Sequence, residues 1–168
     1  MRILRLLSEG HDFALGKLSE LESVACELRD SKICPDTLDR LDKAIGFFHK
    51  EVEEHFKQEE MVLFPVMEKI IGRAGFIHAM LEEHRSFWRA IETLEERLED
   101  VKGDARTPEL RSLEQVVTHI VAFLRSHITK EEKSFFPLAE QSLDPLSVQE
   151  TERLLEQLHH NSTVKSLQ

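Results

Sequence analysis

The sequence has 168 residues, of which 40% are hydrophobic and 32% are charged, a composition typical of one helical domain with a sizeable core. Its 32 acidic residues outnumber the 22 basic ones, and the net charge of −10 disfavours binding to nucleic acid or to anionic membranes because both are negatively charged. No apolar run approaches the ~20 residues needed to span a bilayer, and no signal peptide is recognisable, so we expect a cytoplasmic protein.

Hydrophobic residues recur at alternating steps of three and four in four stretches, each of roughly 25 to 30 residues, as in long amphipathic helices. These stretches begin at Leu4, Leu38, Ile77 and Leu110. The connections between them are short, and short connections favour antiparallel neighbours. The sequence therefore predicts an all-α fold, an antiparallel up-down-up-down four-helix bundle, over residues 1–140.

A shorter fifth helix is predicted within residues 141–168. It follows the Asp144-Pro145 pair, and Ser147 and Glu150 have the spacing of a capping box. Its apolar positions indicate that it packs on the bundle or on a partner, either another protein or a second copy of the chain.

One motif occurs twice in the chain. The pattern H-x-x-x-E-E-x-x-x-F-P-x-x-E begins at His55 and again at His127, 72 residues later. Pro65 and Pro137 hold the same place in the two copies, and each is expected to kink or end its helix because proline has no backbone N–H to donate.

A second pair of histidines accompanies this repeat. His11 and His84 lie 73 residues apart, and each is followed closely by a phenylalanine, Phe13 in one case and Phe87 in the other. The chain is therefore interpreted as two copies of a helix pair, each of which supplies two histidines and one carboxylate.

Six ionisable residues fall on the apolar stripes of the four helices, where the core is expected. Burying such groups without partners costs several kcal/mol, so a network of this size is either fully hydrogen-bonded or contains a cation. We predict a metal site, with a purely structural network as the alternative. The six residues are His11, His55, Glu59, His84, His127 and Glu131.

Other polar residues are expected to lie outside this site. His49, His78 and His119 fall beside the stripes and are interpreted as rim or surface histidines, although a part for His119 in the site stays open. Cys26 and Cys34 form no metal or redox motif and are interpreted as two reduced thiols, with a redox pair as the alternative.

Imidazole and carboxylate donors without thiolate favour iron, manganese or zinc. Glu59 and Glu131, on different helices, are well placed to bridge two metals. Counting the donors leaves at least one open position on each six-coordinate ion. A small ligand such as O2, NO or peroxide would bind there.

The order H…H-x-x-x-E…H…H-x-x-x-E, with E-E-x-x-x-F-P after each motif and Glu83-His84 on the third helix, resembles the hemerythrin-like (HHE cation-binding) family over about residues 1–140. The resemblance implies a non-haem di-iron centre in the bundle. Two iron ions with an oxo or hydroxo bridge are the expected cofactor, and zinc or manganese are alternatives. The implied terminal ligands are His11, His55, His84 and His127, and the implied bridging ligands are Glu59 and Glu131.

Two departures separate this chain from the oxygen-carrying hemerythrins. Met80 stands where those proteins have a further histidine on the third helix, and Glu131 replaces the aspartate of their H-x-x-x-x-D motif. The resemblance therefore implies the broader group, whose members sense, store or handle iron, O2, NO or peroxide. Glu60 and Glu132 are either additional or supporting ligands, or solvated carboxylates.

Three functions remain open at this point, and no catalytic residue is assigned. The first is a di-iron protein that binds or senses a diatomic molecule or peroxide. The second is a di-iron enzyme that turns over peroxide or NO, with Glu60 or Glu132 as a proton carrier, or an iron donor similar to iron–sulfur repair proteins. The third is an interaction module in which metal occupancy exposes or hides the fifth helix.

Overall fold

The computed structural model describes residues 1–31, 33–34, 36–72 and 75–165, with side chains up to residue 161. All regular structure in these ranges is helical, which confirms the predicted fold class. Within the same ranges, no helix is long and apolar enough to cross a membrane.

Five long helices follow one another along the chain. The first is α1 (Arg2–Arg29), the third is α5 (Phe76–Gly103) and the fifth is α8 (Pro145–Lys165). The second and fourth each contain π-helical turns, in which a backbone N–H reaches back five residues instead of four. The second comprises α2 (Thr37–Phe47), a π turn at Phe48–Val52, α3 (Glu53–Gln58), a π turn at Glu59–Leu63 and α4 (Phe64–Ile71); the fourth comprises α6 (Thr107–Lys130), a π turn at Glu131–Phe135 and α7 (Phe136–Ser142).

Side-chain pairs between helices establish their directions. Arg29, at the end of α1, pairs with Glu114 near the start of α6 at 2.6 Å, so these two helices are antiparallel. Lys102, at the end of α5, pairs with Asp42 near the start of α2 at 2.9 Å, so α5 and α2 are also antiparallel. The antiparallel four-helix bundle is therefore confirmed.

The apolar core consists of two clusters with a polar layer between them. Along α1, Leu7 belongs to one cluster and Ala14 to the other, and His11 lies between them. Along α5, Met80 belongs to the first cluster and Phe87 to the second, and His84 lies between them. The ionisable layer is thus enclosed above and below by hydrophobic side chains, as the stripe positions predicted.

The fifth helix covers one end of the bundle. Leu155 and Leu158 are buried in the same cluster as Ile3, and burial of such side chains stabilises the contact. The helix begins at Pro145, and the carboxylate of Asp144 accepts a hydrogen bond from the Ser147 N–H at 2.8 Å. Asp144 is therefore the capping residue, and the predicted capping box at Ser147 is wrong, because Ser147 already lies inside the helix.

Neither Pro65 nor Pro137 ends its long helix, which continues to Ile71 in one case and to Ser142 in the other. A π turn precedes each proline and begins at a glutamate of the motif, Glu59 or Glu131. Each proline then lies in the first turn of a new α-helical segment, where a missing N–H is tolerated.

Candidate metal centre

The structure brings all six predicted side chains together in the polar layer. The histidines come from the four different long helices, and each glutamate stands at the first position of a π turn. Such turns are frequent at functional sites because they rotate one side chain relative to the regular helix. Glu59 and Glu131 are fully buried, His11, His84 and His127 are at most 3% exposed, and the side chain of His55 is slightly more exposed, at 11%.

The six residues form two groups of four that share both glutamates. In each group the possible ligand atoms all lie within 4.8 Å of one another. Two adjacent positions for a cation are therefore present. The first is formed by His11, His55, Glu59 and Glu131, and the second by Glu59, His84, His127 and Glu131.

Each glutamate directs one oxygen towards each group. The two oxygens of Glu59 lie 3.5 Å from Nε2 of His55 and 3.2 Å from Nε2 of His84. The oxygens of Glu131 lie 3.0 Å from Nε2 of His11 and 3.2 Å from Nε2 of His127. Both carboxylates are therefore shared by the two candidate cation positions.

The inward-facing atoms fit a pair of metal ions. Within the described residues, Nε2 of all four histidines and all four oxygens of Glu59 and Glu131 are buried without an aligned hydrogen bond. Each Nε2 lies 3.0–3.5 Å from a carboxylate oxygen, but none of these contacts is an aligned hydrogen bond. Buried polar atoms nearly always make such a bond, so eight possible ligand atoms without one around a single centre indicate a bound species that accepts lone pairs. Imidazole and carboxylate suit Zn²⁺, Mn²⁺ and iron.

The outward-facing Nδ1 atoms of three histidines bind a second layer of glutamates. A neutral imidazole that donates from Nδ1 presents the lone pair of Nε2 to the centre, which is the form that binds a metal. Glu60 and Glu132, whose role the sequence left open, belong to this layer. The pairs are His11 with Glu132 at 2.7 Å, His84 with Glu60 at 2.7 Å and His127 with Glu83 at 2.9 Å.

Glu83 was not assigned a role from the sequence. Glu83 directly precedes His84 in the sequence, yet its carboxylate contacts His127 on α6 instead. The same carboxylate also pairs with Lys130. The three outer glutamates reach solvent, with side chains 42% (Glu60), 39% (Glu132) and 20% (Glu83) exposed. They therefore connect the buried imidazoles to water.

Without a metal, the carboxylates alter the acid–base behaviour of the histidines. Burial alone would lower the pKa of His84, but the adjacent carboxylates of Glu59 and Glu60 outweigh it and raise the pKa to about 9. The pKa values of His11 and His127 are raised by the same balance of burial against neighbouring glutamates. Burial would raise the pKa of Glu59, but His55 and His84 hold it well below its usual range.

Aromatic rings cover the histidines on both sides of the layer. The ring of Phe56 stacks on His84 with centroids 3.7 Å apart, and Phe136 stacks on His11 at 5.4 Å. Phe64 lies 5.8 Å from His84 on the other side. These rings cover the faces of His11 and His84 and restrict the orientation of their imidazole planes.

His55 differs from the other three histidines. Among the residues that the structure describes, no carboxylate binds its Nδ1; the backbone of Gly10 lies there instead, and a Cβ atom at position 10 would be 2.8 Å from Nδ1. Gly10 precedes His11 just as Glu83 precedes His84. The second half of the repeat thus places a glutamate where the first half has only backbone.

Residues that the sequence assigned to the rim lie outside the centre. His49, His78 and His119 are exposed, and His49 pairs with Glu95 at 2.8 Å. Cys26 and Cys34 are exposed free thiols, which agrees with the interpretation as reduced cysteines.

Comparison with known proteins agrees with this geometry. Residues 2–140 match the hemerythrin HHE cation binding domain. The chain is 28% identical over 144 residues to the iron-sulfur cluster repair protein YtfE of Dickeya chrysanthemi, covering 82% of this chain and 64% of that protein. It is 29% identical over 102 residues to YtfE of Cronobacter sakazakii, covering 59% of this chain and 46% of that protein. The chain therefore spans about half to under two thirds of these relatives, and no solved structure matches it.

Proposed function

The chain belongs to the hemerythrin HHE cation-binding family, and we propose that it holds two iron ions and uses them to bind, sense or handle a small molecule of the class of O2, NO or peroxide. His11 and His55 would hold one ion, and His84 and His127 would hold the other. Glu59 and Glu131 would contribute to both positions.

The observation that carries this proposal is the set of eight buried, inward-facing donor atoms without hydrogen-bond partners. A structural network of the same residues would pair its donors and acceptors, because an unsatisfied buried carboxylate is costly. The aligned hydrogen bonds of this centre are instead made at the outer Nδ1 atoms, so the inner atoms are left for metal ions.

The number of donors bears on the choice of metal. Two imidazole nitrogens and one oxygen from each bridging carboxylate give each ion four protein ligands. Four ligands complete the shell of a structural zinc ion but leave positions free on a six-coordinate iron. The two relatives are named for iron–sulfur cluster repair, which favours iron.

Bound iron would supply electrons and open coordination positions for a small ligand. The protein residues orient the imidazoles and isolate the centre from water. Glu60, Glu83 and Glu132 hold the Nδ1 protons of three histidines and, being partly exposed, can exchange protons with solvent. Phe56, Phe64 and Phe136 cover the rings.

A reconstitution experiment tests the proposal. The metal-free protein is loaded with ferrous iron without oxygen, and optical spectra are recorded on addition of NO and, separately, of air. We expect new charge-transfer bands with each gas, in proportion to the bound iron. His49→Ala, which changes an exposed histidine outside the centre, should give the same bands, and His84→Ala should lose them. Unchanged spectra in an iron-loaded, folded protein would contradict the proposal.

A second candidate is donation of iron for the repair of iron–sulfur clusters. It is favoured by the names of both relatives, although the chain covers only 64% and 46% of their lengths. The test is transfer of ⁵⁷Fe from the loaded protein to a cluster-free ferredoxin supplied with sulfide and a thiol. Faster cluster formation than with an equal amount of chelated iron would support this role, and an equal rate would exclude it.

A further inference from the structure

A small cavity adjoins the centre on one side. It has a volume of about 60 Å³ and lies where α1, the second long helix and α6 meet. That volume holds a few molecules of the size of water and excludes larger organic ligands. Three of the four centre histidines, His11, His55 and His127, form part of its wall.

The rest of the wall is apolar. Phe13, 73% exposed, marks the mouth of the cavity, and Glu51, the acidic residue that lines it, is also exposed at the surface. The inner wall contains only hydrophobic side chains besides the histidines and Gly10. This lining favours an uncharged molecule over an anion, because an anion would lose its hydration without a compensating partner. The inner hydrophobic residues are Ala14, Phe47, Val52, Phe56, Leu124 and Ile128.

The cavity exists because two positions of α1 carry small residues. The structural repeat places Ala14, three residues after His11, in the position of Phe87, three residues after His84. Phe87 is fully buried and packs edge-on against Phe48 and Phe56, at 5.4 Å and 5.6 Å. Phe13, the phenylalanine that follows His11, is not the counterpart of Phe87, because it points to solvent one position away from the buried stripe.

Gly10 is the second small residue. Its counterpart Glu83 places a side chain beside Nδ1 of His127, whereas at Nδ1 of His55 only the backbone of Gly10 is present, and no side chain extends past it over the ring. The side chain of His55 is 11% exposed, compared with 4% or less for the other three histidines. The half of the repeat that contains Phe87 is therefore closed by side chains, whereas the half that contains Ala14 has a cavity beside its histidines.

We propose that the cavity beside Gly10 and Ala14, between α1 and the second long helix, is the entrance through which an uncharged diatomic molecule reaches the centre, and that Ala14 sets the size limit of this entrance. The inference rests on the proposed function, since it assigns a route to the ligand of that same centre. Ala14 acts on passage alone, because it contributes no atom to either cation position.

The test enlarges residue 14 and measures passage. Ala14→Leu partly fills the cavity, and Ala14→Phe copies the residue of the closed side. The matched control is Ala90→Phe, which places the same ring in a surface groove between α5 and α6 that is lined by Ser86, Thr93 and His119 and contains no residue of the centre. Iron content and circular dichroism establish that each variant is folded and loaded.

Two readouts are compared. In stopped-flow mixing of the ferrous protein with NO, Ala14→Phe should slow association by about tenfold or more and Ala14→Leu by less, since a close-packed interior blocks passage. Ala90→Phe should bind NO at the wild-type rate. In crystals of the metal-free protein under xenon pressure, xenon should occupy the wild-type cavity and be absent from Ala14→Phe, because apolar cavities of this kind bind xenon.

The outcomes separate the entrance from the proposed function. If the loaded wild-type protein bound no NO, the proposed function would fail, and xenon occupancy would still decide whether the cavity admits an apolar guest. If NO bound at the same rate to wild type and to a loaded Ala14→Phe or Ala14→Leu protein, the entrance would lie elsewhere and this inference would be overturned.

Discussion

Gly10 lies directly against the imidazole of His55, so closely that a Cβ atom at position 10 would stand 2.8 Å from Nδ1. Real Cβ atoms do not approach a ring this closely, so any other residue at this position must displace His55 or separate α1 from α3. Glycine in the middle of a helix is otherwise unfavourable, and the contact explains its presence.

Gly10→Ala should therefore weaken metal binding at the position formed with His55. We expect the affinity for one of the two ions to fall about tenfold, which is the lower end of the loss that follows when the orientation of a metal ligand is disturbed. Competition with a chelator measures this affinity. Gly16→Ala is the control, since position 16 of α1 has open space around it. That change should leave metal binding intact and stabilise the fold by about 0.5–1 kcal/mol. Equal metal affinities for the two variants would contradict the importance of the contact.

The outer glutamates should contribute to metal affinity through the histidines that they orient. Glu132→Gln and Glu60→Gln each replace a carboxylate that binds an imidazole Nδ1 at 2.7 Å. We expect each change to lower iron affinity by about 10- to 100-fold while two ions still bind at saturation. Glu92→Gln, on an exposed part of α5, should have no effect. A loss no greater than that of Glu92→Gln would mean that Glu60 and Glu132 are merely surface carboxylates.

Removal of metal should destabilise the protein, because four imidazoles and two carboxylates then remain buried around an empty space. A ligand that binds only the folded state adds about 2.7 kcal/mol at a concentration 100 times its Kd. For a domain of this size that corresponds to a rise in Tm of roughly 5–11 °C for each site so saturated. Calorimetry with and without ferrous iron measures the rise. Identical melting curves for the loaded and metal-free protein would contradict it.

The metal-free protein should lose stability between pH 6.5 and about 9. The pKa of His84 is raised from 6.5 to about 9 in the folded state, so its protonated form stabilises the fold fully below pH 6.5, and this contribution disappears as the pH rises towards 9. The depressed pKa of Glu59 acts in the opposite direction, and its contribution is present above 4.5 and is lost as the pH falls further. Urea unfolding at a series of pH values measures the loss of stability at high pH and the loss at low pH.

Metal binding should abolish the loss at high pH, because the bound imidazoles are already neutral. Loading near pH 7 should also release protons, measurable in a weakly buffered solution, since bound metal displaces the proton that a raised pKa keeps on His84. A metal-free protein whose stability is the same at pH 6 and pH 9 would show that His84 is not paired with the carboxylates as described.

The six residues of the centre were predictable from the sequence because helical periodicity alone decides which side chains face the core. His55, Glu59, His127 and Glu131 share their phase with apolar neighbours, whereas His49 and His78 do not. The bundle follows from the same stripes. Short-range pattern was sufficient here because each of the six residues lies in a long helix, and Glu59 and Glu131 stand at the start of a π turn, before the extra residue shifts the helical phase.

Contacts between helices were not predictable in the same way. Glu83 contacts His127 rather than its neighbour His84, and this depends on how α5 is rotated against α6, which a single stripe does not define. The sequence predicted a kink or an end at Pro65 and Pro137, and neither helix ends there. A π turn relieves each proline, and its extra residue has no signature in hydrophobic spacing.

The most direct test of the central claim is the iron content and Mössbauer spectrum of protein loaded with ⁵⁷Fe. The two groups that share Glu59 and Glu131 predict two irons per chain in a magnetically coupled pair. Glu59→Ala should disrupt the pair, because it removes an oxygen from both positions. One isolated iron per chain, or two uncoupled irons that survive the loss of Glu59, would contradict a bridged two-iron centre.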